Sequence, residues 1–157
     1  MREILFRGKS VKDGEWFTGQ LLHFKSPVSK RELNIVVEGC EFDDSNEWFN
    51  IGRRAKVVPE TIGQYTGFTD KNGKKIFEGD MIKPFDDEID KMVVEFRQGQ
   101  FLLCSYGERG YMAEYGWEES GNYGCFEAEP LSTYGDDVEV IGNIHDNPEP
   151  LRGDTNA

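Results

Sequence analysis

Histidine is almost missing from this chain: His23 and His145 are the only two among 157 residues. Histidine-based zinc sites and base-activated nucleophiles therefore have little to work with. His145 precedes Asp146, but neighbours on an extended strand face opposite ways and would not touch, so it reads as a surface or capping residue. Cysteine is scarce too. Cys40, Cys104 and Cys125 form no CxxC pair, which excludes a zinc knuckle and a disulfide framework. They read instead as free thiols, small buried hydrophobes in a reducing compartment. No window approaches the ~18 apolar residues of a membrane span. The opening MREILFRGKS lacks the apolar run of a secretory signal. The expected location is the cytoplasm, with no membrane partner. An apolar period of 3.6 is nowhere sustained beyond about two turns, which excludes long amphipathic helices.

Basic charge is missing from one end. Residues 118–157 carry ten carboxylates and only Arg152, whereas residues 1–117 carry 17 basic and 20 acidic side chains; the total is −12. A backbone-tracking nucleic-acid binder neutralises phosphates with Lys and Arg, so nucleic acid is not the expected partner.

Aromatic residues and glycine are plentiful, with 11 Phe, 6 Tyr, 3 Trp and 18 Gly. Short apolar runs between Gly-rich turns indicate a mainly β fold with a real core. Residues 1–58 read as an N-terminal β-rich segment. A hairpin there turns at Ser10–Gly14, and strands follow at Leu33–Glu38 and Trp48–Ile51. Residues 59–146 read as a second β region. It opens with a Gly- and Thr-rich loop, then a tight turn at Lys71–Lys74, where Asn72-Gly73 suggests the two positive φ values of a type I′ hairpin. Met92–Phe96 and Phe101–Cys104 flank Gln98-Gly99 as a further hairpin, and Val138–Ile141 is the last strand. An irregular Gly/Tyr-rich insertion occupies 105–130, and 147–157 is a polar tail. Strands such as Ile35–Glu38 and Met92–Phe96 are expected to leave edges that self-association would cover.

Three groups of residues carry a family resemblance, in order. The first is Phe6-Arg7-Gly8-Lys9 with Gly14-Glu15-Trp16. The second runs Thr61-Ile62-Gly63-Gln64-Tyr65-Thr66-Gly67, Asp70-Lys71-Asn72-Gly73-Lys74-Lys75-Ile76 and Glu78-Gly79-Asp80. The third is Ile141-Gly142-Asn143-Ile144-His145-Asp146-Asn147-Pro148-Glu149. In these the chain resembles the YopX family, although Pro150 stands where that family usually has an apolar residue. The resemblance implies an SH3-like small β-barrel, with the N-terminal hairpin as an extension, and a phage or prophage protein in a bacterial host. It implies no established activity.

Within the motifs, Gly63, Gln64, Tyr65, Thr66, Gly67, Asn72, Gly73, Glu78, Gly79, Asp80, Gly142 and Asn143 are expected to be structural. Asp80 in particular is expected to fix its bend by accepting backbone N–H bonds. A phosphate loop fails, since Lys75 stands where its hydroxyl belongs. An EF-hand counted from Asp70 fails as well, with Lys75 in place of the central glycine and Met81 in place of the final glutamate. No catalytic residue, metal ligand or cofactor is assigned.

The expectation is a non-enzymatic binding or assembly module whose partner is a protein, a second copy included. Tyr111, Tyr115 and Trp117 are the candidate contacts, the alternative being a lid that packs these rings inward. A rival reading makes the acidic end, with Asp136, Asp137 and Glu139, a mimic of nucleic acid that engages a basic protein. A metal-dependent enzyme using Asp86, Asp87 and Asp90, or direct nucleic-acid binding through Arg53-Arg54 and Lys74-Lys75, are the further alternatives.

Overall fold

A computed structural model describes residues 3–45, 47–84, 91–105 and 127–147. The chain divides into two compact units, Met1–Gly67 and Phe68–Ala157.

In the first unit β1 (Phe6–Lys9), β2 (Trp16–Lys25), β3 (Glu32–Phe42) and β4 (Phe49–Lys56) form an antiparallel meander. A 3-10 turn at Pro59–Thr61 then leads to β5 (Gly63–Thr69), which returns to pair with β1. The expected Gly/Thr-rich loop is therefore a strand. Its glycines are poor strand formers, but Gln64 lies opposite Phe6 and Gly63 opposite Arg7, and this pairing overrides propensity. Phe17, Val36 and Val57 are buried together, with Leu21, Ala55 and Ile62 packed around them.

Two loops of this unit close alike. Ser10 N–H donates to the Glu15 carbonyl (2.8 Å) and Ser26 N–H to that of Arg31 (2.9 Å). The residue before each closing position is left-handed: Gly14 at φ 73° and Lys30 at φ 58°. A side chain there costs about 1–2 kcal/mol, partly offset by the greater freedom of glycine when unfolded. Lys30→Gly is expected to stabilise the protein by about 0.5–1 kcal/mol. The check is the urea midpoint, which should rise at an unchanged slope.

The second unit begins along the end of β5 and turns into β6 (Lys75–Phe77). It continues as β7 (Asp80–Pro84), β8 (Met92–Arg97), β9 (Gln100–Ser105) and β10 (Glu127–Pro130). A 3-10 turn at Leu131–Thr133 precedes β11 (Val138–Asn143), which returns to pair with β7. The sheet order is β10-β9-β8-β7-β11. Ile76, Ile82, Met92, Val94, Leu103, Leu131, Val138 and Val140 make its core, flanked by Phe68, Phe101 and Tyr134. Each unit is thus a four-stranded meander, a 3-10 turn and a fifth strand returning to the first.

Three expectations need correction. No closed barrel forms among the described residues. In the second unit β10 ends at Pro130, which lacks an N–H and enters the 3-10 turn, so no ladder runs on to β11. In the first, a single bridge between Ser10 and Val57 joins the end of β4 to that of β1. The type I′ geometry is also misplaced. Consecutive positive φ values occur at Gln98 (51°) and Gly99 (82°), whereas Gly73 alone is left-handed in the Asp70–Lys74 turn. Finally, Ile35–Glu38 and Met92–Phe96 belong to β3 and β8, which are paired on both sides. The outer meander strands are β4 and β10.

Candidate functional site

Within the second unit the motif residues gather around two buried carboxylates. Asp70, 3% exposed, closes the turn between β5 and β6. Asp70 N–H donates to the Lys74 carbonyl and Gly73 N–H to the Asp70 carbonyl, both at 2.8 Å. Asp70 Oδ1 accepts the N–H groups of Asn72 (2.8 Å) and Lys74 (2.9 Å), and Oδ2 accepts that of Val140 in β11 (3.2 Å). This carboxylate selects a three-residue loop with one left-handed glycine over the type I′ turn. Burial pushes the Asp70 carboxyl up, but the N–H donors of Lys74, Val140 and Asn72, with the charge of Lys74, outweigh it and hold the pKa below its usual 3.8.

Asp80, 1% exposed, opens β7, and its Oδ2 accepts Phe77 N–H at 2.8 Å. Gly79, at φ 82°, donates its N–H to the Val94 carbonyl (2.8 Å) and accepts from Ile144 N–H (3.0 Å). Asn143 stands opposite Asp80 in the β7–β11 ladder. Its Oδ1 accepts the N–H groups of His145 (3.0 Å) and Asp146 (2.9 Å), while Nδ2 donates to Asp146 Oδ2 (2.7 Å). A register shift between Val140 and Gly142 bends β11 just before this turn. The Gly-Asp and Gly-Asn motifs, more than 60 residues apart in sequence, form one junction around the ends of β7 and β11. Glu78 is half-buried beside it.

The remaining motif residues lie in β5. Gly63, Tyr65 and Thr66 are buried, Gln64 is half-buried and Gly67 is exposed. Tyr65 N–H donates to the Leu5 carbonyl at 2.8 Å. Just before β5, Thr61 Oγ1 accepts Lys9 N–H (2.9 Å) and donates to the Val58 carbonyl (2.7 Å). The side chains of Thr61, Asp70, Asp80 and Asn143 each bond the main chain and hold turns and strand ends together.

Tyr111, Tyr115, Trp117, Asp86, Asp87 and Asp90 lie outside the described residues. Asp136 and Asp137 are exposed, and Glu139 forms an ion pair with Lys71 at 2.5 Å. Among the described residues no group of three His, Cys, Asp or Glu side chains is placed to hold a metal ion. No helix among them is long and apolar enough to cross a membrane.

Sequence reasoning missed an exposed apolar surface in the first unit. Phe42 (64% exposed), Trp48 (57%) and Phe49 (71%) cluster at the tip of the β3–β4 hairpin, with Phe42 directly opposite Phe49. Phe24 and Val28 stand exposed at the β2–β3 end. The available signal was the mixture of Phe and Trp with Glu41, Asp43, Asp44 and Glu47 in one loop, since a core hairpin does not carry so many charges beside its aromatics.

A family model described as YopX protein matches residues 5–152. No curated protein matches the chain. Among solved structures, that of protein EF1440 from Enterococcus faecalis is similar, with a TM-score of 0.54 at 22% identity, covering 97% of this chain and 100% of that one. At that identity the likeness concerns the fold.

Proposed function

The chain belongs to the YopX family, and we propose that it is a non-enzymatic binding or assembly module of phage or prophage origin. The carrying observation is the group of exposed aromatics at the β3–β4 tip, Phe42, Trp48 and Phe49. Exposed aromatics rimmed by charge are what protein-binding sites offer, because burying them supplies affinity while the polar rim sets the partner. The motif carboxylates fit the same reading, since Asp70 and Asp80 are occupied by backbone N–H groups.

The units themselves suit a platform role. A short meander, a 3-10 turn and a returning fifth strand is the order of an SH3-like barrel left open, and each unit is read here as one such module. Tyr111, Tyr115 and Trp117 are proposed as additional contacts, tested by Tyr111→Ala with Trp117→Ala.

Affinity capture from a host lysate, washed at low and at high salt, tests the proposal. One stoichiometric protein, or the chain itself as an oligomer, is the expected result. A chain that stays monomeric and captures nothing at either salt contradicts it.

A further inference from the structure

β4 is the outer strand of its meander, and its far edge is open to a further strand as far as Arg54; beyond that the Lys56 carbonyl accepts Val11 N–H (2.9 Å) and Val57 bridges Ser10. Its two ends have opposite chemistry. Residues 40–51, the tip, contain Glu41, Asp43, Asp44 and Glu47 and no basic side chain. Asp43 is engaged locally, accepting from Ser45 Oγ–H and Glu47 N–H, while Glu41, Asp44 and Glu47 are exposed. On the same tip Phe42 and Phe49 share a face with Cys40 and Ile51, which are cross-strand partners. The other end carries Arg53, Arg54 and Lys56. Arg53 lies over the Phe17 ring and pairs with Glu15 (2.6 Å) and Glu38 (3.2 Å). The side chains of Arg54 and Lys56 are exposed and form no ion pair among the described residues.

A segment that suits this edge is extended, places apolar residues on alternate positions and ends in cations that match the acidic tip. β4 itself, Phe49-Asn50-Ile51-Gly52-Arg53-Arg54-Ala55-Lys56, has that description. We infer that the chain self-associates through β4, two copies pairing antiparallel about a two-fold axis at Gly52. The inference rests on the binding-module reading and names the occupant.

The geometry follows from symmetry. A two-fold axis normal to a sheet keeps each face continuous, so a residue k positions before the axis meets the one k positions after it. With Gly52 on the axis, Ile51 lies opposite Arg53 of the second copy and Asn50 opposite Arg54; the ladder ends before Lys56, whose carbonyl is bonded to Val11 of its own chain. The Asn50–Arg54 pair sets Arg54 of the second copy across Asn50 from Glu41, which stands opposite Asn50 in its own hairpin. An axis at Arg53 instead sets Arg53 against itself, which like-charge repulsion disfavours. Gly52 also suits the crossing point, being bare backbone: a Cβ there would stand 2.6 Å from the Glu38 carbonyl oxygen of its own hairpin.

Sedimentation of the full chain across a wide concentration range, at low and high salt, tests this pairing with two charge-reversed variants. One is Arg54→Glu with Lys56→Glu, and the other is Glu41→Lys with Glu47→Lys. All four positions are exposed, and melting curves check that folding is retained. The wild type is expected to dimerise at low salt and to weaken as salt rises. Each variant alone should lose about tenfold or more in dimer affinity, because both symmetric contacts become repulsive. Mixed, they should recover the dimer, since the reversed tip of one then meets the reversed basic end of the other and the second contact keeps its native charges on both sides. A monomeric wild type at every concentration overturns the pairing but leaves the binding-module reading to lysate capture. A dimer indifferent to both variants overturns it as well. So does a Lys/Arg-bearing extended peptide that binds the tip of a monomeric chain, which would assign the edge to a foreign partner.

Discussion

Asp70→Ala is expected to cost about 3 kcal/mol, because one substitution strands three backbone donors and one of them, Val140 N–H, is buried. The loss spreads beyond the turn. Val140 belongs to β11, whose Val138 carbonyl also accepts Lys71 N–H at 3.0 Å, so the turn and the returning strand are held as one piece. Asp70→Asn separates geometry from charge. An amide can still accept at one oxygen, but its NH₂ would face a backbone donor, and a loss of about 2 kcal/mol is expected.

The same residue gives the protein a pH signature. Its folded pKa is depressed below 3.8, so the unfolded chain takes up the proton first as pH falls. Its contribution is therefore complete above the unfolded value and is lost as pH drops through the folded pKa. Urea titrations at neutral pH and near pH ~3 should show wild type and Asp70→Asn converging in stability at the acid end. A constant gap between them would show that the carboxylate charge is not what holds the turn.

Gly19→Ala is expected to cost about 3 kcal/mol or more, for a steric reason. A Cβ built at Gly19 in β2 would stand 1.8 Å from the Val37 carbonyl oxygen and 2.6 Å from its carbon, both backbone atoms of β3. A flexible side chain could swing aside; a paired strand cannot. Val37 lies opposite Gln20 in the ladder, and Val36 beside it is fully buried. Relief therefore means moving β2 off β3 and loosening the Phe17–Val36–Val57 core. Gly19→Ser should be at least as damaging. Thermal unfolding near that of the wild type would show that the strands separate there at little cost.

How far these features could be read in advance depended on how local their causes were. The β8–β9 hairpin was legible because two β-branched and aromatic runs flank Gln98-Gly99, and the turn needs nothing from elsewhere. β5 was not, because Gly63 and Gly67 argue against a strand, and its pairing with β1, over 50 residues earlier, overrides them. The Asp70 turn shows both sides: Asn72-Gly73 located it correctly, while its type was decided by the Asp70 carboxylate and β11. Closure of a barrel is a global property, decided where β10 runs into Pro130, and no local pattern displays it. In sequence Phe42 falls in an acidic loop, and Trp48 and Phe49 in a short strand. The fold leaves all three exposed at the tip of the β3–β4 hairpin.

Residues that hold the fold are distinct from those proposed to bind, and one comparison tests that division. Partner capture and self-association would be measured for Asp70→Asn and for Phe42→Ser with Phe49→Ser, at a temperature where both are folded. The account predicts that Asp70→Asn binds like the wild type despite its lower stability, whereas the double variant keeps its stability and loses binding. Loss of binding in folded Asp70→Asn, with the Phe42/Phe49 variant binding normally, would contradict it.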